Sequence, residues 1–296
     1  MILGIDVGGT TIKIGVVDEN GQILKVEKFS TPEYTGSPQQ FIQLIKTTVH
    51  SVNTTYPIKG IGIGLPGQLS LDRKTIIELT NIPTLNGLNL YEPLKNAFPE
   101  LKIALENDAR CAAMGELHFG KHGEKSFLLI TLGTGVGGGL IIDGKLFKGA
   151  NGNATEVGMI PVGLGPYLED YIGNKHIVDF TLEILKDYPS SALKEHKDLS
   201  VADIYHAAKA GDACALAVFS FAGNLLGEAM LSMIHLYDIS TIIIGGGVGA
   251  SFDVLEPSIK EILNERLSPY YLKNFKLLQA SLSNESGIVG AASLVV

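Results

Sequence analysis

The sequence predicts an α/β fold of two lobes, each built on a half-parallel sheet. In "LGIDVGGTTIKIGVVD" (residues 3–18), apolar residues alternate with small or polar ones on both sides of a glycine pair, which is the pattern of a β-hairpin. "FLLITLGTGVGGGLIIDGKLF" (residues 127–147) repeats that pattern. Each hairpin opens the same order, βββαβαβα, and an internal repeat of this kind indicates a duplicated fold.

The first copy of the pattern occupies roughly the first 120 residues. Its strands are predicted at residues 2–7, 12–17, 23–29, 60–65 and 102–106. A helix starts after Ser37, a good N-cap residue, because Pro38 suits the first helical position and the apolar residues that follow recur at helical spacing. Two further helices are predicted, a short one at residues 90–98 and another from Asn107 to about His118.

The second copy follows the same order after its own hairpin. Its later elements are predicted as a long helix from Asp212 to about Tyr237, a strand at 241–244, a helix at 253–267, a strand at 276–280 and a final helix from about Glu285. No proline- or serine-rich linker separates the copies, so we expect helix 107–118 to act as a hinge. The predicted N-terminal lobe is residues 1–110 plus 285–296, and the C-terminal lobe is residues 111–284.

Composition excludes several classes of protein. The 296 residues are 45% hydrophobic, which is enough for a sizeable core. A net charge of −8 without a basic block argues against a nucleic-acid surface. Cys111 and Cys214 lie far apart and give no disulfide framework or cysteine-based zinc cluster. The most apolar stretch, residues 225–248, contains charged residues, so we expect no membrane span. A strand at residue 2 leaves no room for a signal peptide, and we expect a cytoplasmic protein.

The glycine pair in the first hairpin predicts a phosphate-binding turn. No helix follows Gly8, Gly9 and Thr10, which excludes a dinucleotide fingerprint and a P-loop, since both place their glycines between a strand and a helix. Open backbone N–H groups and threonine hydroxyls suit an anion. Asp6 precedes the turn in an otherwise apolar strand and is expected to hold Mg²⁺ through water. The alternative is a tight turn without a ligand.

Two further glycine turns lie in the second copy. Gly133, Thr134 and Gly135 form the predicted second phosphate turn. Gly246 and Gly247 follow a buried strand and precede a helix, where the adenosine of a nucleotide can lie close to the backbone. Each can instead be a tight turn alone. Because each copy opens with a predicted phosphate turn, at Gly8–Thr10 and at Gly133–Gly135, the sequence favours two lobes that face one nucleotide in a cleft.

Seven short motifs extend this interpretation. They are, in order, DVGGTTIKIGVVD, IGIGLPGQL, LENDARCAAMGE, LITLGTGVGGGLI, GNATEVGMIPV, LED and IIIGGGV. Together, and with the tail SGIVGAASLVV, they resemble the ROK family of sugar kinases and sugar-responsive repressors over nearly the whole chain. The resemblance implies an actin- and hexokinase-like fold with two ribonuclease-H-type lobes. The repressors of this family carry an N-terminal helix-turn-helix, whereas this chain starts at the hairpin, so we expect no DNA-binding domain.

The resemblance also implies roles for individual residues. Asp108 matches the general base of the family, which accepts a proton from the attacking hydroxyl, and Asn107 matches a ligand of a sugar hydroxyl. The alternative for this pair is a helix cap, although one cap needs only one such residue. The other expected sugar-binding residues are Gly67, Asn81, Glu156 and Glu169. The expected nucleotide-binding residues are Asp6, Gly8, Gly9, Thr10, Lys13, Gly133, Thr134, Gly135, Gly246 and Gly247. Without the resemblance, the two glutamates read as surface acids and Asn81 as a turn residue.

One family motif is missing. The family continues its Glu-x-Gly-His motif into a cysteine-rich loop, and that His with three Cys binds a structural zinc. Here Met159 stands at the position of the His, and no cysteine occurs between residues 111 and 214, so we expect no zinc site. Met159 is expected to line the sugar pocket, the alternative being a place in the core. The short loop is expected to be held by the packing of Ile160, Val162 and Leu164.

These observations predict an ATP- and Mg²⁺-dependent hexose kinase, with glucose as the leading substrate. We expect a homodimer that binds a sugar and a nucleotide, and neither nucleic acid nor membrane. Three alternatives stay open: another hexose or a 2-acetamido sugar such as N-acetylmannosamine, polyphosphate as the donor, and a sugar sensor without catalysis. Asp108 and the two phosphate turns argue against the sensor, because binding alone needs neither.

Overall fold

The computed structural model describes residues 1–163, 167–282 and 286–296. Its contacts divide the chain into two compact units. Unit 1 comprises Met1–Lys125, Gly139–Thr155 and Ser281–Val296, and unit 2 comprises Ser126–Gly138 and Glu156–Ala280. The chain therefore passes between the units several times, and unit 1 contains both its earliest and its latest elements.

The described strands and helices follow the predicted order, with several short additions. The strands are β1 (Ile2–Val7), β2 (Thr11–Val17), β3 (Ile23–Ser30), β4 (Gly60–Leu65), β5 (Gln68–Leu69), β6 (Ile76–Glu78), β7 (Lys102–Asn107), β8 (Phe127–Leu132), β9 (Val136–Ile142), β10 (Lys145–Leu146), β11 (Thr241–Gly245) and β12 (Lys276–Gln279). The helices are α1 (Thr31–Tyr34), α2 (Pro38–Asn53), α3 (Tyr91–Ala97), α4 (Asp108–Phe119), α5 (Glu169–Ile172), α6 (Asn174–Ile184), α7 (Val201–Lys209), α8 (Ala213–Tyr237), α9 (Gly246–Gly249), α10 (Phe252–Arg266), α11 (Pro269–Leu272) and α12 (Ser286–Ser293). Glu285, the expected start of the last helix, lies outside the described residues.

Two five-stranded sheets share one strand order. The first sheet runs β3-β2-β1-β4-β7 and the second runs β10-β9-β8-β11-β12. In the first, β1 is antiparallel to β2 and parallel to β4. In the second, β8 is parallel to β11, as β1 is to β4. The matching order confirms the duplication predicted from the repeated hairpin. Strands β5 and β6 form a small separate pair that the sequence did not predict, because segments this short show no periodicity.

A row of glycines crosses the first sheet. Gly4 of β1 pairs with Gly15 of β2 on one side and with Gly62 of β4 on the other. A Cβ atom on Gly4 would overlap the carbonyl oxygen of Ile288, and one on Gly62 would overlap that of Ala291. The backbone of α12 therefore lies directly on the sheet, at a distance that a side chain in this row would prevent.

The other side of α12 contacts α4 in the same way. A Cβ atom on Gly290 would overlap the backbone of Cys111, and one on Gly115 would come within 3.0 Å of the Gly290 Cα. These backbone contacts keep all of α4 in unit 1. The sequence placed a lobe boundary after residue 110 and a hinge in this helix, whereas the contacts assign residues 111–125 to unit 1. The difference arises because α12, distant in sequence, packs along α4.

Helix α8 is the longest helix described. The helix is long and apolar enough to cross a membrane, but 61% of its most apolar stretch is buried inside the protein. Gly223 and Gly227 allow α10 to approach closely, because Cβ atoms there would lie 2.8 Å from the Leu255 oxygen and the Ile262 Cβ, respectively. The apolar residues of α8 therefore have the burial of a core helix of unit 2.

We expect Gly62→Ala to lower the free energy of unfolding by about 3 kcal/mol, the upper end of the usual cost of overpacking, because the methyl group would overlap the Ala291 carbonyl. Urea denaturation at pH 7 measures the change. Gly247→Ala is the matched control. A Cβ atom at this position would have no neighbour within 4 Å, and the backbone of Gly247 does not have a left-handed φ. Equal stability of the two variants would mean that α12 does not lie this close to the sheet.

Candidate active site

The first glycine turn connects β1 and β2, as the sequence predicted. The Gly8 N–H donates to the Thr11 oxygen at 3.0 Å. Thr31 supports the turn from within, since its hydroxyl donates to the Gly8 oxygen at 2.7 Å and its N–H donates to the Thr10 oxygen at 3.0 Å. Thr31 is buried whereas Thr10 is exposed. The turn is thus fixed on its inner side and open to solvent at its tip, as an anion site requires.

Asp6 and Lys13 pair across the same hairpin, with Lys13 Nζ 3.7 Å from Asp6 Oδ2. Burial raises the pKa of Asp6 above its ordinary value of 3.8, and the charge of Lys13 opposes this shift. A Cβ atom on Gly287, at the start of α12, would overlap the carboxylate, so only glycine lets the helix end approach it. The described ranges contain no group of three His, Cys, Asp or Glu placed to hold a metal ion. A lone carboxylate still fits Mg²⁺, which is usually held by one or two carboxylates, water and substrate phosphates.

Two predicted sugar ligands lie beside predicted partners in unit 1. A Cβ atom on Gly9 would come within 3.3 Å of the Asn81 Cβ, so Asn81 contacts the first glycine turn. The Asn107 Nδ2 donates to the Gly67 oxygen at 3.3 Å. The sequence therefore identified neighbours here, although it could not show which pairs touch.

Asn107 and Asp108 begin α4, and Asn107 is its N-cap. The Asn107 Oδ1 accepts from the N–H groups of Ala109 at 3.0 Å and Arg110 at 3.2 Å. Asp108 is the first helical residue, and its Oδ1 accepts from the Ala109 N–H at 2.8 Å. Since Asn107 caps the helix, Asp108 is not needed for that purpose. Its half-buried carboxylate lies at the N-terminus of α4, where the helix dipole favours negative charge.

The second glycine turn connects β8 and β9 in unit 2. The Gly133 N–H donates to the Gly135 oxygen at 2.9 Å, and the Asn174 N–H at the start of α6 donates to the Gly133 oxygen at 2.9 Å. Thr134 is exposed at the tip. This turn, like the first, is tied down by backbone hydrogen bonds and leaves a hydroxyl residue facing solvent.

Glu169 lies against the second turn. Its Oε2 accepts from the Val136 N–H at 2.7 Å, and a Cβ atom on Gly135 would overlap its carboxylate. Its backbone oxygen is 2.9 Å from the Nδ1 of His176, a residue that the sequence did not single out. Glu169, expected as a sugar ligand, therefore contacts and supports the second glycine turn.

Glu156 precedes a 3₁₀ turn, Val157–Met159, and Met159 is its last residue. The Met159 N–H donates to the Glu156 oxygen at 3.1 Å. Met159 is 47% exposed, so its side chain does not lie in the core. A Cβ atom on Gly158 would come within 3.2 Å of Glu169 Oε2. Glu156, Met159 and Glu169 therefore share one region of unit 2.

At the position of the family's zinc motif, the described residues on the two sides of 164–166 are joined by a backbone hydrogen bond from the Leu168 N–H to the Ile160 oxygen at 2.9 Å. Val162 is buried, as expected, and Ile160 is half-buried. Leu164 lies outside the described residues. The absence of a zinc site stays a prediction.

Gly246 and Gly247 begin α9 directly after β11. Gly246 has a φ of +84°, and a Cβ atom there would overlap the Leu132 oxygen, so no other residue fits. Gly247 lines a cavity of about 550 Å³, within the range of small-molecule sites. Side chains from α6 and α7, including Lys175 and Tyr205, line the same cavity. The sequence missed them because the repeated strand pattern assigns no role to α6 and α7.

Comparison with known proteins identifies the family to which this chain belongs. The ROK family model matches residues 2–296. The chain belongs to the ROK family. It is 33% identical to a glucokinase of Streptomyces coelicolor over 99% of this chain and 97% of the relative. It is 29% identical to an N-acetyl-D-glucosamine kinase of Vibrio cholerae over 99% of both chains.

A solved structure gives the corresponding result for the fold. A ROK family glucokinase from Streptomyces griseus, in complex with glucose and AMPPNP, matches with a TM-score of 0.82 and 30% identity, covering 99% of this chain and 98% of that one. The predicted ROK resemblance and the actin- and hexokinase-like α/β fold are therefore confirmed. The roles of the individual site residues stay predictions.

We expect Asp6→Asn to raise the free energy of unfolding at pH 7. Because the folded-state pKa of Asp6 is raised, its stabilising contribution is fully present below pH 3.8 and is lost as the pH rises through the folded-state pKa. Asparagine removes that loss, so the advantage of the variant should shrink as the pH falls towards 4. Urea denaturation between pH 4 and pH 7 measures it.

Asp72→Asn is the control of opposite sign for this measurement. The Ser70 hydroxyl lowers the pKa of Asp72, so its contribution is present above pH 3.8 and is lost on acidification. Asp72→Asn should therefore not stabilise the protein at pH 7. A lower stability of Asp6→Asn than of the parent at pH 7 would identify Asp6 as a structural partner of Lys13.

Proposed function

We propose that this chain transfers the terminal phosphoryl group of ATP to a hexose, with glucose as the first candidate and Asp108 as the general base. Membership of the ROK family and the kinase relatives make the chain a sugar kinase. The observation that carries the finer proposal is the position of Asp108, at the start of α4 beside a neighbour that already caps the helix.

The residues of unit 1 supply the base and one phosphate turn. As the attacking hydroxyl oxygen bonds to phosphorus, the Asp108 carboxylate accepts its proton. Asn81 and the remaining Asn107 N–H orient sugar hydroxyls. The turn at Gly8–Thr10, together with Lys13, holds phosphate oxygens, and Asp6 holds Mg²⁺ through water. When bound, Mg²⁺ neutralises charge on those oxygens.

The residues of unit 2 supply the second phosphate turn and further sugar contacts. Glu156 and Glu169 accept hydrogen bonds from sugar hydroxyls, since each carboxylate can accept from two donors. The turn at Gly133–Gly135 holds phosphate, and the cavity beside Gly247 takes the adenosine. This cavity favours ATP over polyphosphate, because polyphosphate has no base to fill it, and the AMPPNP complex of the Streptomyces griseus relative supports the same choice.

A 2-acetamido hexose is the second candidate substrate. The exposed Met159 offers an apolar, flexible side chain beside Glu156 and Glu169, and such a surface suits an acetamido methyl group. The Vibrio cholerae relative, an N-acetyl-D-glucosamine kinase, supports this choice. A homodimer in the cytoplasm stays a prediction from the sequence.

We expect Asp108→Asn to lower kcat by about 10²- to 10⁴-fold and to change glucose affinity little, because the amide keeps the shape of the side chain but accepts no proton. A coupled ADP-release assay gives kcat, and calorimetric titration with glucose gives the affinity. Asp72→Asn, an exposed acid of the same unit, should behave like the parent. A near-normal kcat for Asp108→Asn would show that Asp108 is only a first-turn residue of α4.

A panel of hexoses tests the substrate. With ATP as donor, glucose should give the highest kcat/KM, and Met159→His should favour sugars without the acetamido group by about 2- to 10-fold, the value of one added hydrogen bond. Leu236→His, which introduces the same side chain at an exposed position of α8, should leave the ranking unchanged. If none of the hexoses in the panel is phosphorylated, the proposed function is wrong. If Met159→His leaves the ranking of the sugars unchanged, Met159 does not line the sugar pocket.

A further inference from the structure

Three buried charged side chains lie together next to Asn107 and Asp108. Four charged side chains are buried in the described ranges, and Arg73, Glu106 and Arg110 are three of them. Glu106 and Arg110 are 1% exposed and Arg73 is 8% exposed. Burying a charge is costly unless it is paired and hydrogen-bonded, so such a group needs a physical explanation. We refer to these residues as the Arg73–Glu106–Arg110 cluster.

Glu106 uses both carboxylate oxygens inside unit 1. Its Oε2 accepts from Arg73 Nε at 2.9 Å and lies 3.6 Å from Lys148 Nζ. Its Oε1 accepts from the backbone N–H of Asn107 at 3.0 Å and lies 3.6 Å from Arg110 Nη1. The backbone N–H of Asn107, the N-cap of α4, is therefore bonded to a carboxylate whose own position is fixed by Arg73 and Arg110.

The same arginines hold a segment that is distant in sequence. Arg110 donates to the Ala154 oxygen from Nε at 3.0 Å and also from Nη2. Arg73 donates from Nη2 to the Gly152 oxygen. Between these two carbonyls, Asn153 donates from Nδ2 to the Leu69 oxygen at 3.0 Å. Three successive residues, 152 to 154, are thus fixed to the connection between β5 and β6 at Arg73, to the start of α4 and to β5.

This segment ends at a residue whose backbone conformation is unfavourable for its type. Gly152 has a φ of +85° and Thr155 has a φ of +66°. A positive φ is unfavourable for a β-branched residue and persists where surrounding contacts hold it. Arg73 itself has a φ of +59°. The next residue along the chain after Thr155 is Glu156, the proposed sugar ligand.

We propose that the Arg73–Glu106–Arg110 cluster is a positioning device for sugar phosphorylation. It fixes the backbone of Asn107, and with it the start of α4 at Asp108, and it fixes the segment that leads into Glu156. Its kinetic effect rests on the proposed function, whereas its effect on the two segments does not. Arginine suits this task because its planar fork donates to a carboxylate and to carbonyl groups at once. Only three of the 23 basic residues are arginines, and two of them are in the cluster.

The kinetic test compares Arg110→Met with Arg266→Met, in which the same change is made at an exposed arginine paired with Glu228. For Arg110→Met we expect kcat to fall by about 10- to 100-fold and KM for glucose to rise by about 3- to 10-fold, with KM for ATP within about twofold of the parent. A purely structural loss would lower the active fraction and leave both KM values unchanged. Arg266→Met should match the parent in all three constants.

Arg110→Lys separates geometry from charge. Lysine keeps the positive charge but lacks the fork, so we expect it to recover less than about a tenth of the lost kcat. Recovery of the parent kcat by Arg110→Lys would overturn the proposal, because charge alone would then be sufficient. Parent-like constants for Arg110→Met would overturn it as well.

Hydrogen–deuterium exchange gives a readout that does not require activity. In Arg110→Met, peptides covering residues 107–110 and 149–156 should exchange at least about tenfold faster than in the parent, while peptides from α8 stay unchanged. Where Arg110→Met does not fold, Asn153→Ala serves instead. It removes the bonds to Leu69 without leaving a charge unpaired, and it should speed exchange at 149–156 and raise KM for glucose.

The two proposals fail in different ways. If the parent shows no sugar-dependent ADP release, the proposed function fails, and exchange alone then decides the cluster. Unchanged exchange at both segments in the folded variants would overturn the cluster proposal whether or not the parent is active. Faster exchange confined to these segments supports it in either case.

Discussion

The close packing of α12 between the first sheet and α4 is the constraint on which the geometry of unit 1 depends. Glycines on both sides make it feasible: Gly4 and Gly62 on the sheet, and Gly115 on α4, leave space for a helix backbone. At its start, α12 places Gly287 against Asp6. Since α4 begins at Asp108, one helix positions the proposed metal-binding acid and the element that carries the proposed base. No apolar side chain could replace these glycines without moving both groups.

Buried charge provides a second fixed point close to the first. An apolar core tolerates small shifts of its side chains, whereas the Arg73–Glu106 pair, with an N–O distance of 2.9 Å inside the protein, requires defined partners. The cluster gains little stability over an apolar filling of the same volume. Its value is directional, because hydrogen bonds fix the angles and distances of the backbone groups that they reach. The glycine contacts therefore set how closely α12 packs on the first sheet and on α4. The Arg73–Glu106–Arg110 cluster sets the orientation of the loops that it contacts.

The sequence predicted those features that depend on local pattern. Alternation around Gly8 and Gly133 indicated both hairpins, and their repetition indicated the matching sheets. Helix α12 was expected at its place, but its depth on the sheet depends on Gly4 and Gly62, which are far from it in sequence and look like ordinary strand residues. In the same way, the sequence shows Glu106 only as a residue of strand β7. Its contact with Arg73, and through the arginines with residues 152–154, depends on segments that are distant in sequence. Asn107 and Asp108 were identified as a pair, but only the hydrogen bonds show which of them caps α4.

The position of α12 in unit 1 also governs the order in which the protein matures on the ribosome. The strands β1, β2 and β4 leave the exit tunnel early, while the helix that covers their glycine row is translated only after all of unit 2. During that interval the nascent first sheet presents an uncovered face, the kind of surface that chaperones recognise and that promotes aggregation. The glycine row that gives the finished protein its tight packing thus leaves the N-terminal sheet without its covering helix until the end of the chain has been made.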